Sequence, residues 1–163
     1  MNNYILSIDP GNVLSAYVVL DNNLRPIEFA KIDNYNLKNI LGEIINRYNI
    51  KNVAIEHVAS MGMAVGQTIF TTCIWIGRFT ETLSRHVDIV EIKEIYRREE
   101  KINLCGSMKA KDGNIRQALI DRFGIVGVKA NKGWFYGVSK DVWSAIAVGV
   151  TYHDMYIKKA VAV

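Results

Sequence analysis

The chain is poor in cysteine and proline and has no long apolar run, and each shortage removes a class of answer. Two cysteines occur in 163 residues, Cys73 and Cys105, in no metal-ligand or redox spacing. This argues against a disulfide scaffold or a thiolate zinc site, and free thiols in a reducing cytoplasm are expected. The longest apolar stretch, "GQTIFTTCIWIGRF", is broken by Gln67, Thr68, Thr71, Thr72 and Arg78, well short of the roughly 20 residues a membrane span needs. No membrane partner is expected. The opening "MNNYILSIDPG" has no basic n-region and meets an acid early, so a secretory signal is not expected either. Internal repeats, Pro/Gly-rich linkers and low-complexity segments are missing, and residues 1–163 read as one globular domain, 50% hydrophobic and 22% charged. Of the three histidines, His57 is expected to be packed or hydrogen-bonded, while His86 and His153 carry no functional expectation.

The net charge of +4 is unevenly spread: residues 1–90 carry −1 and residues 91–163 carry +5. A polyanion would meet the second half of the chain. "YILSI", "AYVVL" and "IEFAKI" read as a meander of three strands. "NLKNILGEIINRY" spaces its apolar residues as an amphipathic helix, and "NVAIEHV" is a strand apolar on both faces up to Glu56. A long helix from about Val65 to Arg85, a strand "DIVEI", and helices from about Asp112 to Phe123 and Ser139 to Tyr156 complete the pattern. It predicts an α/β fold, a mixed sheet flanked by helices, with its site beyond the carboxyl ends of the strands.

Asp9 and Glu56 end two strands expected at the centre of that sheet. Aspartate before Pro10-Gly11 is also a common turn opener. Two carboxylates on one rim, however, repel each other and lose hydration unless a cation joins them. Asp141 begins the last helix, where Ser139 can cap and the helix dipole favours an acid; yet it leads the face that continues through Ala145, Val148 and Tyr152. Oxygen anions without His or Cys partners suit Mg²⁺ or Mn²⁺, and the chemistry that most often uses them is two-ion phosphoryl transfer.

"SIDPGN", "AIEHV", "KAKDGNIRQALIDRFG" and "KDVWSAIAVGVTYH", in this order across nearly the whole chain, resemble the RuvC family of Holliday-junction resolvases. The short length and divergent loops resemble its phage-borne branch, such as the resolvases of lactococcal phages. The resemblance implies a ribonuclease-H-like fold with a five-stranded mixed sheet, a homodimer, and metal-dependent nicking of branched DNA in a bacterial cytoplasm, the host's if the chain is phage-encoded. Of the family's four acids, the first three map to Asp9, Glu56 and Asp141, and the fourth position holds Ser144. Two Mg²⁺ ions would then be balanced by three carboxylates and one phosphodiester, with Ser144 a neutral, poorer ligand. The aromatic residue that follows the second acid in bacterial members is replaced by Ala59; Met61 and Met63 are candidate apolar wedges, or loop packing.

Lys101, Lys109, Lys111 and Arg116 approach this site in sequence, and Lys101 and Lys111 fall at or near basic positions of the family motif. Lys111 is thereby a candidate for stabilising charge at the reacting phosphate. In "KANKGWFYGVSK", Lys129, Lys132 and Lys140 interleave with Trp134, Phe135 and Tyr136, a pattern that suits either opened bases or a hydrophobic plug. The long helix is apolar on more than one face, which fits a homodimer. The resulting expectation is a Mg²⁺-dependent endonuclease that resolves Holliday junctions, leaving a 5′-phosphate and a 3′-hydroxyl. Its rivals are a ribonuclease acting on RNA–DNA hybrids, a non-catalytic junction-binding protein, and a nucleotide-binding domain of the actin type, which would lack its second lobe.

Overall fold

Asp9 owes its place to the strand it ends, and that strand lies at the middle of the sheet. The computed structural model describes residues 3–59, 62 and 64–158. β1 (Ile5–Asp9), β2 (Leu14–Leu20) and β3 (Pro26–Asp33) form an antiparallel meander. α1 (Asn34–Tyr48) starts at Asp33, whose carboxylate accepts from the backbone N–H groups of Tyr35 and Asn36. It stops at Asn49, a left-handed residue with φ 50°. β4 (Asn52–His57) returns parallel to β1; α2 (Gln67–Ser84) and β5 (Glu91–Tyr96) add a second parallel pairing. There follow α3 (Arg97–Cys105), α4 (Asp112–Phe123), a short hairpin of β6 (Gly127–Val128) and β7 (Asn131–Lys132), and α5 (Lys140–Tyr152), which runs on as a π-helical turn over His153–Ile157. The main sheet has five strands in the order β3-β2-β1-β4-β5.

Strand alternation sends successive residues to opposite faces, and each face has its own core. Leu6, Ile8, Val19, Val53 and Ile55 pack with Leu37, Leu41 and Ile44 of α1 and with Trp75, Phe79 and Leu83 of α2. Ile5, Val18, Leu20, Ala54 and Ile95 pack with Val142, Ala145, Ile146 and Val150 of α5. The seam between α5 and β1 is unusually close. Ser7 Oγ donates to the Ala145 carbonyl at 2.7 Å, and a Cβ at Gly149 would stand 2.6 Å from both Ser7 Oγ and Leu20 Cδ1. Glycine is required there because the helix backbone rests on the sheet.

Two elements depart from the sequence pattern. The apolar residues of "DIVEI" are mostly outside the strand: Val90 is 78% exposed, and the strand starts at Glu91 because that residue pairs with Asn52. As an edge strand, β5 tolerates charge at Glu91, Lys93 and Glu94 and so hides its identity. The segment "RREEKINLC" forms a helix, α3, whose one buried residue is Glu100; no apolar stripe advertises it. Among the described residues no helix is long and apolar enough to cross a membrane.

Candidate active site at the rim of the sheet

The turn after Asp9 is locked from beneath. A Cβ at Gly11 would come within 2.2 Å of the Leu14 carbonyl oxygen, so only glycine fits. The Gly11 N–H donates to Ser15 Oγ at 3.1 Å, Asn34 Nδ2 donates to the Gly11 carbonyl at 2.9 Å, and Ser15 Oγ donates to Asn34 Oδ1 at 2.5 Å. Ser15 and Asn34 are both buried, so their polar atoms satisfy each other and the turn in one network. The turn therefore holds itself without the Asp9 side chain.

That side chain turns instead to its neighbour. Asp9 and Glu56 each follow the last paired residues of the parallel ladder, Ile8 and Ile55, and both line one cavity. Burial first, and the Glu56 charge second, push Asp9 up to about 9. The strand registers extend the row across the sheet: Lys31 opposite Ala16, Ala16 opposite Asp9, and Glu56 opposite Ile95. Lys31 thus enters the site from the outer strand.

α5 brings the other half. Ala145 and Gly149 seat the helix on β1, and Asp141, one turn before Ala145, comes close enough to raise Asp9 further. Ser139 occupies the N-cap position without a side-chain capping bond, so capping does not explain the acid. Asp141 forms an ion pair with Lys31. Ser144, three residues on and on the same helix face, joins Asp141 in lining a cavity of about 610 Å³, together with Asp112 and Arg116. A second cavity, of about 490 Å³, is lined by Asp9, Glu56, His57, Ala59, Lys101 and Met108. Arg97 lines both.

Arg97 and Glu100, on the helix that the sequence pattern concealed, complete the electrostatics. Arg97 Nη1 donates to Glu100 Oε2 at 2.6 Å and Nη2 to Asp112. Burial alone would lower Arg97, but Glu100 and Glu56 outweigh it and hold the guanidinium charged. Glu100 is fully buried; burial, then the Glu56 charge, push it up to about 9, and its Oε1 has no hydrogen-bond partner among the described residues.

The other sequence candidates divide by location. Lys101 lines the Asp9–Glu56 cavity, and Arg116 lies over the Trp143 ring at 5.0 Å beside Asp141. Lys109 and Lys111 are exposed between α3 and α4, outside both linings; Lys111 occupies the N-cap of α4, its backbone N–H on Asn114 Oδ1. Lys132 covers Tyr136, while Trp134 stacks on Phe123 beneath Arg25 and Phe135 is fully buried, which is the plug arrangement. His57 is bonded through Nδ1 to the Val58 carbonyl at 2.8 Å and packs on Tyr96. Met61 and Met63 lie outside the described residues.

Among the described residues, no group of three or more His, Cys, Asp or Glu side chains is arranged to hold a metal ion. Of the three acids expected to hold metal, Asp9 and Glu56 line one cavity, whereas Asp141 lines the other and pairs with Lys31. Asp9 and Glu56 have the donor chemistry that a hard divalent cation takes. Both offer carboxylate oxygens, and each loses hydration beside a like charge.

A five-stranded mixed sheet with helices on both faces and acids at the ends of its central strands is an α/β fold of the ribonuclease-H-like kind. No protein-family model matches the chain, and no curated protein matches its sequence. Solved structures do. Thermus thermophilus RuvC in complex with Holliday junction substrate is similar with a TM-score of 0.75, over 97% of this chain and 96% of that one, at 14% identity. A second structure of Thermus thermophilus RuvC gives 0.72 over 98% and 97%, again at 14% identity. The likeness is one of fold, and it runs nearly end to end.

Proposed function

We propose that this chain is a metal-dependent, structure-selective endonuclease that resolves Holliday junctions and other branched DNA by paired nicks. The observation that carries the reading is the Asp9–Glu56 pair, two carboxyl groups at the rim of adjacent central strands that line one cavity, in a fold similar to a junction-bound RuvC. Asp9, Glu56 and Asp141, with Ser144 as a neutral donor, would hold two Mg²⁺ or Mn²⁺ ions. When bound, such ions would activate water and stabilise the leaving oxygen of the phosphodiester. Asp141 would exchange Lys31 for metal. Lys101 and Arg116 face the two cavities and would meet the DNA backbone, with Lys109, Lys111 and Lys132 contributing more distant charge. Phe70 and Ile74, each 54% exposed on α2, are the apolar face on which a second copy would dock, and the dimer would present two sites to a four-way junction. The place of action is the bacterial cytoplasm.

A labelled synthetic four-way junction tests this, incubated with Mg²⁺, with EDTA, and with Asp9→Asn protein. Cleavage by the parent in Mg²⁺ alone is the expected result. Equal cutting by the Asp9→Asn variant would reject the assignment. The pairing of Asp141 with Lys31 and the serine at position 144 favour one rival, a junction-binding protein without catalysis. That rival binds the junction and leaves it intact at every Mg²⁺ or Mn²⁺ concentration.

A further inference from the structure

We propose that Arg97 is the residue that grips the scissile phosphate and that Glu100 is its positioning residue, a role no motif of the chain had suggested. The inference rests on the endonuclease reading and names a group of the same site. Arg97 is the first residue of α3, immediately after β5, so the strand beside β4 delivers it next to Glu56. Its side chain is 28% exposed and lines the cavity on either side, that of Asp9 and Glu56 and that of Asp141 and Ser144. A DNA strand crossing from one cavity to the other passes over this guanidinium.

The geometry is that of a held fork. A guanidinium has five N–H donors. Glu100 takes one at 2.6 Å and Asp112 another, so two anchors, one on α3 and one on α4, fix the plane while the remaining donors are left for a ligand. Glu100 is fully buried and lines neither cavity; it reaches the substrate only through Arg97. Among the described residues its Oε1 has no hydrogen-bond partner, so the bond to Arg97 is the one this carboxyl makes there. A planar, pre-oriented donor pair matches phosphate oxygens better than a mobile surface lysine does. Lys101, Lys109 and Lys111 therefore attract the polyanion, whereas Arg97 aligns one phosphate.

The test uses single-turnover cleavage of the four-way junction by the parent, Arg97→Ala, Arg97→Lys and Glu100→Gln, alongside junction affinity in EDTA and thermal unfolding. Arg97→Ala is expected to cut about 10²–10³-fold more slowly, with affinity in EDTA changed by less than about threefold. Added guanidinium ion at millimolar concentration should restore part of that rate and should not accelerate the parent. Glu100→Gln, with its anchor weakened, should cut about 10-fold more slowly while binding as the parent does. A folded Arg97→Ala protein that cuts within about threefold of the parent, or that guanidinium fails to rescue, overturns the assignment. Should Arg97→Ala not fold, Arg97→Lys decides: cutting at the parental rate overturns it, and a folded, slow enzyme supports it. Failure of the parent itself to cut defeats the endonuclease reading and takes this inference with it.

Discussion

The two halves of the site are built by different means. Asp9 and Glu56 stand on adjacent strands whose ladder sets their separation, and the Glu56 charge helps to raise Asp9. Asp141 and Ser144 stand on a helix laid across the sheet, and Asp141 is bound to a lysine from the outer strand. The strand half is placed by backbone hydrogen bonds and is pre-formed; the helix half is placed by side-chain packing and has an exchangeable partner. A ligand of Asp141 would have to displace the Lys31 ammonium, whereas Asp9 and Glu56 are set by the ladder.

The comparison is broken most severely at Asp9. Asp9→Asn removes one of the two carboxylates of the strand half, and junction cleavage should drop by about 10³-fold, roughly 4 kcal/mol of barrier, in a protein that still folds and binds DNA. Gly149→Val attacks the other half through its seat: the added branches meet Ser7 and Leu20, and a destabilisation of about 1–3 kcal/mol is expected from urea unfolding. Ser144→Asp sharpens the contrast from the opposite direction by giving the helix half a second acid. Mg²⁺ binding by calorimetry should tighten by about tenfold, and an unchanged titration refutes the placement of Ser144 among the ligands.

The smallest effect lies away from the site. Burial acts to raise Asp154, but hydrogen bonds from Arg122, His153 and Asn103 outweigh it and hold the carboxyl well below its usual range. A carboxyl depressed on folding stabilises the protein above its unfolded pKa, near ~3.9, and loses that contribution as pH falls further. Arg122 is partly exposed, so the loss is discounted to about 1 kcal/mol. Acid unfolding of Asp154→Asn should lack this component below pH ~4.

The fold and the strand half of the site were legible because they rest on local patterns. Alternating apolar residues ending in Asp9 and Glu56 identify two interior strands, and spacing alone puts Asp141 and Ser144 on one helix face. The ion pairs were not legible. Lys31 meets Asp141 through a register spanning three strands, and nothing near "FAKID" indicates which acid it will face. Arg97 and Glu100 were hidden for another reason. They sit in "RREEKINLC", where dense charge resembles a solvated surface, although Glu100 is buried. A three-residue spacing of opposite charges was the available sign, and on most surfaces that sign means little. The Ser15–Asn34–Gly11 clamp escaped for the same reason as Lys31, since its members are joined only by tertiary contact.

The glycine seat of α5 also determines how the site responds to movement elsewhere. Contact at Ala145 and Gly149 acts as a fulcrum, and Asp141 lies only four residues, about 6 Å of helix, beyond it. Rocking the helix by roughly 5° shifts so short a lever by only ~0.5 Å. Strain arriving at the far end, around Tyr152 and the π-helical turn, thus reaches the acid as a movement of that small size.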